Sequence, residues 1–69
     1  MLPERMETFR IELINEGETT IIAHRIPREH ICKLLRQTVT LYLGKKTRVN
    51  YTDFIASCNG ATIQAILNH

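Results

Sequence analysis

The helical period of residues 27–44 constrains the fold of this 69-residue chain more than any other feature. Apolar side chains recur there every three or four residues, as on one face of an amphipathic helix. The stripe comprises Ile31, Leu34, Leu35, Thr38 and Tyr42, and it is widened by Cys32, Val39 and Leu43. Pro27 suits a first helical turn because its missing N–H has no intrahelical partner there, and Gly44 suits the position just after the last turn. We therefore predict a helix over about residues 27–43.

The chain before this helix alternates like β-structure. Residues 8–14 place apolar and polar side chains in turn, which is typical of a half-buried strand, and residues 18–26 are rich in β-branched side chains. The short connection between them contains Gly17. Two such runs joined by a short glycine-containing loop predict a β-hairpin.

The register of this hairpin stays open at the level of sequence. A three-residue loop would place Ile11 opposite Ile21, whereas a two-residue loop would place it opposite Ile22. The two registers expose opposite faces of the second strand, so they leave the orientation of His24 undecided. If the outer face carries Ile22 and Ile26, an apolar patch remains there for an interface.

The last third of the chain admits two interpretations. Residues 48–58 and 61–67 can form a second hairpin around Asn59-Gly60, the preferred dipeptide of a type I′ turn. This turn would pair Cys58 with Ala61 and continue the apolar pairing along both strands. The alternative is a helix that begins at Asp53, although it would contain Asn-Gly and several poor helix formers. We favour the hairpin.

These elements predict an α+β fold of ββαββ type, an antiparallel sheet with one central helix packed on it. The alternative is a ββα unit followed by a C-terminal helix. A chain of this length makes one domain at most, which we assign to residues 1–69, with residues 1–6 as a loose N-terminal lead-in.

The sequence favours neither catalysis nor a metal site. Cys32 and Cys58 are read as reduced, buried thiols, because no secretory signal accompanies them. His30 and Cys32 lie two residues apart on the predicted helix and point in nearly opposite directions, so they cannot hold the same ion. No glycine-rich phosphate loop or paired acid and base is apparent. We predict no enzyme, no cofactor and no metal.

Charge is distributed unevenly along the chain. Residues 1–18 carry five acids and two bases, whereas residues 19–69 carry seven bases and two acids. The bases on the exposed side of the helix and just beyond its end form a candidate surface for a partner or for nucleic acid: Arg28, Lys33, Arg36, Lys45, Lys46 and Arg48.

Two functional hypotheses follow. The first is a small non-enzymatic protein-interaction module, a regulator or inhibitor that binds a partner protein through the acidic hairpin, the basic helix face or a sheet edge. Its size is like that of phage or mobile-element accessory proteins, which is an analogy only. The alternative is a small basic nucleic-acid-binding dimer. Under either hypothesis we expect a homodimer in the cytoplasm with no membrane contact, because exposed strand edges invite pairing and no apolar run is long enough to span a bilayer.

Overall fold

The computed structural model describes residues 7–68, which contain two β-hairpins and one helix. The elements are β1 (Thr8–Asn15), β2 (Glu18–Pro27), α1 (Arg28–Leu43), β3 (Ile55–Cys58) and β4 (Ala61–Asn68). The strands form one antiparallel sheet in the order β2-β1-β4-β3, and α1 contacts all four strands. The predicted α+β class is confirmed, and the element order is consistent with the ββαββ arrangement. The predicted lead-in, residues 1–6, lies outside the described residues.

The hydrophobic core lies between α1 and one face of the sheet, here called the inner face. Its buried members within the described residues are Phe9, Ile11, Ile26, Ile31, Leu35, Val39, Ala56 and Ile63. The buried stripe of α1 is narrower than predicted, because Cys32 and Tyr42 are exposed. The prediction of two buried thiols is therefore wrong for Cys32, and Cys58 is only half-buried.

Proline and glycine mark the ends of α1. Pro27 is both the last residue of β2 and the N-cap of α1, with an extended backbone that the proline ring tolerates. At the other end, the N–H of Gly44 donates to the carbonyl oxygens of Val39 at 3.1 Å and Thr40 at 3.2 Å. The helix therefore ends where the sequence predicts, one residue before Gly44.

The first hairpin turns through a two-residue loop, but its strands do not keep one register. Glu16 and Gly17 have φ of 54° and 80°, as a type I′ turn requires. Two register shifts then place Ile11 opposite Ala23 and Phe9 opposite Ile26. The register of the two-residue loop holds from Glu12 to Asn15. It is lost beyond Glu12 because β2 contains two bulges that the alternation of side chains does not reveal.

The bulges change which side chains of β2 reach the core. Ile26 is buried, and Ile22 packs against the core from a half-buried position. Ile21 lies opposite Glu12 on the other face of the sheet and is 45% exposed, while His24 is also exposed. The outer apolar patch expected from Ile22 and Ile26 is therefore absent, and Ile21 lies on that face in their place.

The second hairpin has the predicted turn but a shorter first strand. Asn59 and Gly60 have φ of 50° and 84°, and Cys58 pairs with Ala61 as expected. The C-terminal helix considered above is wrong, because residues 55–68 form β3 and β4. The predicted long strand is also wrong in part, since residues 51–54 form a turn before Ile55. No helix within residues 7–68 has the length and apolar character needed to cross a membrane.

Candidate functional site

A depression lies between the C-terminal half of α1 and the segment that follows it. Its volume is about 300 Å³, and we call it the basic pocket. Its lining residues are Arg36, Val39, Thr40, Lys45, Thr47, Arg48, Val49 and Tyr51. Three of these side chains are cationic and none is acidic, so the pocket is suited to an anionic ligand.

Thr47 holds the segment after α1 against the end of the helix. Its Oγ1 donates to the Leu43 carbonyl oxygen at 2.9 Å, and its N–H donates to the Gly44 carbonyl oxygen at 3.1 Å. These bonds satisfy two carbonyl groups at a helix end that would otherwise need water. They also set the direction of the chain into Arg48 and Val49, and the half-buried Val49 packs against the core.

Asn50 fixes the turn that carries Tyr51. Its Oδ1 accepts from the N–H of Thr52 at 2.9 Å and of Asp53 at 3.2 Å, which makes an Asx turn. Its backbone also exchanges two hydrogen bonds with Ile55, at 2.9 and 3.2 Å. Tyr51 is thereby held at the edge of the basic pocket with 43% of its surface exposed.

The structure separates the six predicted basic residues. Arg36, Lys45 and Arg48 line the basic pocket. Lys33 lines a shallow groove along α1, the helix groove, together with Gln37 and Leu41. Arg36 and Thr40 border both depressions, so the two form one continuous surface.

The other two predicted residues lie apart. Arg28 is the first residue of α1, at the far end of the helix, where its Nη2 lies 3.8 Å from Oε2 of Glu7. Lys46 is exposed in the turn after α1 but lines neither depression. The structure thus brings four of the six residues onto one surface and leaves Arg28 and Lys46 outside it.

A second candidate surface lies on the face of the sheet opposite α1, here called the outer face. At its centre Arg10 donates from Nε to Oε2 of Glu12 at 2.8 Å and from Nη1 to Oδ1 of Asn68 at 2.8 Å. Gln64 Nε2 donates to Oε1 of Glu12 at 3.3 Å. Glu12 is only 8% exposed, although it is one of the polar residues in the alternating pattern of residues 8–14.

The electrostatics of this cluster favour an ionised Glu12. The hydrogen bond from Arg10 lowers the pKa of the Glu12 carboxyl below its ordinary value of 4.5, helped by the bond from Gln64 and by the charge of Arg10. Burial acts in the opposite direction but is outweighed. The outer face therefore carries a fixed, paired charge at its centre.

Apolar side chains surround this polar centre. Cross-strand pairing places Ile21 beside Glu12, Ile66 beside Arg10 and Ile55 beside Gln64. Ile14 lies two residues beyond Glu12 on the same face of β1. Ile21 is exposed and the other three isoleucines are half-buried. No helix or strand within residues 7–68 packs on this face, since α1 covers the inner face.

Within residues 7–68, the cysteines and histidines form no metal-binding cluster. Both cysteines are free thiols. Within the described part of the chain, no group of three His, Cys, Asp or Glu side chains is placed to hold a metal ion. His30 Nε2 lies 3.9 Å from Oε1 of Glu29, and both side chains are largely exposed.

Sequence reasoning missed Tyr51, Asn50 and Glu12. The signal for the first two was the Asn-x-x-Asp spacing of residues 50–53, which favours an Asx turn and conflicts with a continuous strand. Glu12 carries no comparable signal. Its burial depends on Arg10, Gln64 and Asn68, two of which lie more than fifty residues away in sequence.

Comparisons of the chain with protein-family models, with curated proteins and with solved structures found no significant match.

Proposed function

We propose that this protein is a non-enzymatic protein-interaction module that self-associates through the outer face of its sheet. The observation that carries the proposal is the composition of that face, with four isoleucines around a satisfied polar centre. α1 already covers the inner face, so the outer face is the larger sheet surface left for an interface. Apolar side chains that remain on a surface without a partner often mark a protein-binding site.

The charge pattern favours a second copy of the same chain as the partner. Arg10 and Glu12 give the centre of the face both signs of charge within 2.8 Å. Two copies related by a two-fold axis can set Arg10 of one against Glu12 of the other, while their isoleucines meet around them. A self-complementary face does not need a partner of different charge.

The area of the face is compatible with a reversible dimer. With strands about 4.8 Å apart and a rise of about 3.3 Å per residue, the face projects about 450 Å² per copy. Two copies would cover about 900 Å², close to the lower limit for specific interfaces. We therefore expect dissociation in the micromolar range. The dimer would also add apolar contacts to a chain whose short length limits its core.

Sedimentation equilibrium over a wide concentration range tests the proposal. The native chain should pass from monomer to dimer as its concentration rises. Ile21→Lys should remain monomeric, because each interface would have to bury two added ammonium groups. The substitution should leave the monomer folded, since a lysine opposite Glu12 makes a favourable cross-strand pair.

Leu41→Lys is the matched control. Leu41 is 78% exposed on α1, far from the outer face, so its replacement should leave the association constant unchanged. A native chain that stays monomeric at every concentration would contradict the proposal, as would equal loss of association in both variants.

A further inference from the structure

We propose that the basic pocket and the helix groove together bind single-stranded nucleic acid, with phosphates on the cations and a base stacked on Tyr51. This inference concerns a surface separate from the outer face and does not depend on self-association. The observation behind it is the convergence of Arg36, Lys45 and Arg48 with an exposed tyrosine around one depression of about 300 Å³.

The cations on this surface are available to a ligand. Within residues 7–68, neither Lys33 nor any of the three cations of the pocket lies within salt-bridge distance of a carboxylate. By contrast, Arg28 at the other end of α1 lies near Glu7. The free cations can therefore neutralise phosphates and release the counterions bound to them.

The partial negative charge at the C-terminus of α1 does not prevent an anion from binding in the basic pocket. The C-terminus of an α-helix carries a partial charge of about −0.5, whereas three full positive charges surround it in this pocket. The carbonyl oxygens of Val39, Thr40 and Leu43 also accept hydrogen bonds from Gly44 and Thr47. The net field in the pocket therefore attracts negative charge.

Tyr51 distinguishes nucleic acid from other polyanions. The Asx turn of Asn50 holds the backbone at Tyr51, so little backbone freedom is lost when a base stacks on the ring. Single strands present unstacked bases that pair with aromatic rings, whereas a duplex hides its base faces and an acidic peptide has none. The aromatic ring beside the cations therefore favours a single strand.

The helix groove gives the surface the length that a strand needs. It continues from Arg36 and Thr40 to Lys33, Gln37 and Leu41. Lys33 and Thr40 are seven residues apart on α1, which corresponds to about 10 Å along the helix axis. A compact nucleotide would leave this groove unused, whereas a chain of several nucleotides would fill it.

Fluorescence anisotropy with a labelled oligothymidine of about 12 nucleotides tests the inference, since small single-strand sites span about 4–16 nucleotides. With four phosphate contacts, at Lys33 and the three cations of the pocket, the slope of log K against log salt concentration should be about −3. Arg36→Ala and Arg48→Ala should each weaken binding several-fold and reduce this slope by about 0.7. Tyr51→Leu should weaken binding about tenfold, and Tyr51→Phe should retain it, because stacking needs only the ring.

The chain offers matched controls for both kinds of change. Arg28→Ala removes the same charge from the same helix, and Tyr42→Leu removes a tyrosine that is 49% exposed. Neither should change the affinity by more than about twofold, because neither residue lines the pocket or the groove. All substituted positions are exposed, so each variant should remain folded, which circular dichroism checks.

Several results would overturn the inference. The first is no binding at low salt, and the second is an equal loss of affinity in Arg28→Ala and Arg36→Ala. The third is an unchanged affinity for the oligonucleotide in Tyr51→Leu. The fourth is an equal affinity for polyglutamate or for the duplex of the same length. The last two would show that charge alone, without base stacking, governs association.

Discussion

Glu12 is an ionised side chain on a central strand of a four-stranded sheet. Its protonation at low pH should therefore change the free energy of unfolding. Because Arg10 lowers its pKa in the folded chain relative to the unfolded chain, the ionised carboxylate stabilises the fold above about pH 4.5. This stabilisation is lost as the pH falls through the folded-state pKa. Glu12→Gln removes the charge-assisted bond, so we expect a loss of about 1–2 kcal/mol near neutral pH. The loss should shrink below pH 4.5, as measured by urea unfolding across the acid range.

Glu18→Gln provides the comparison for this prediction. Glu18 is exposed at the start of β2 and makes no ion pair within residues 7–68. Its replacement should change the free energy of unfolding by less than about 0.5 kcal/mol. If both variants lose the same stability with the same pH dependence, overall charge rather than the Arg10–Glu12 bond is responsible.

At the scale of elements, the two hairpins use the same turn with different first residues. Glu16 and Asn59 both have φ near 50°, and each is followed by glycine. Asparagine tolerates this left-handed conformation better than glutamate does. Glu16→Asn should therefore raise the free energy of unfolding by about 0.5–1 kcal/mol, and Asn59→Glu should lower it by a similar amount. Urea denaturation of both variants measures the two effects, and changes of the same sign would refute the explanation.

The helix and the turn of the second hairpin could be predicted because their signals are local. The period of α1, Pro27, Gly44 and the Asn59-Gly60 dipeptide all act within a few residues. The register of the first hairpin could not be predicted, because its two bulges depend on contacts between β2 and the core. One of them brings Arg25 to a φ of 52°, a conformation that nothing in its neighbours predicts.

The candidate sites also combine local signals, which the sequence shows, with long-range contacts, which it does not. The basic residues are visible as a group along the chain, but which of them meet depends on how the segment after α1 folds back. Val49 and Tyr51 alternate with polar residues and so imitate a strand. The side chain of Asn50 interrupts that strand by capping a turn, and it thereby brings Tyr51 beside Arg36 and Arg48.

At the scale of the whole molecule, stability and association are linked. A chain of 69 residues is expected to have only about 3–10 kcal/mol of folding free energy, so an interface is a large addition to it. If two copies join through the outer face, unfolding converts one dimer into two monomers. A higher protein concentration then favours the folded dimer, so the melting temperature must rise with concentration. For a domain of this size we expect a rise of about 3–5 °C for each tenfold increase in concentration.

Thermal unfolding followed by circular dichroism over two decades of concentration measures this effect. Ile21→Lys should melt at one temperature throughout, because its outer face cannot pair, whereas Leu41→Lys should keep the concentration dependence of the native chain. A concentration-independent melting temperature for the native chain would contradict the dimer. If Ile21→Lys retained the slope, the interface would have to lie elsewhere, and the exposed edge of β2 would be the next surface to substitute.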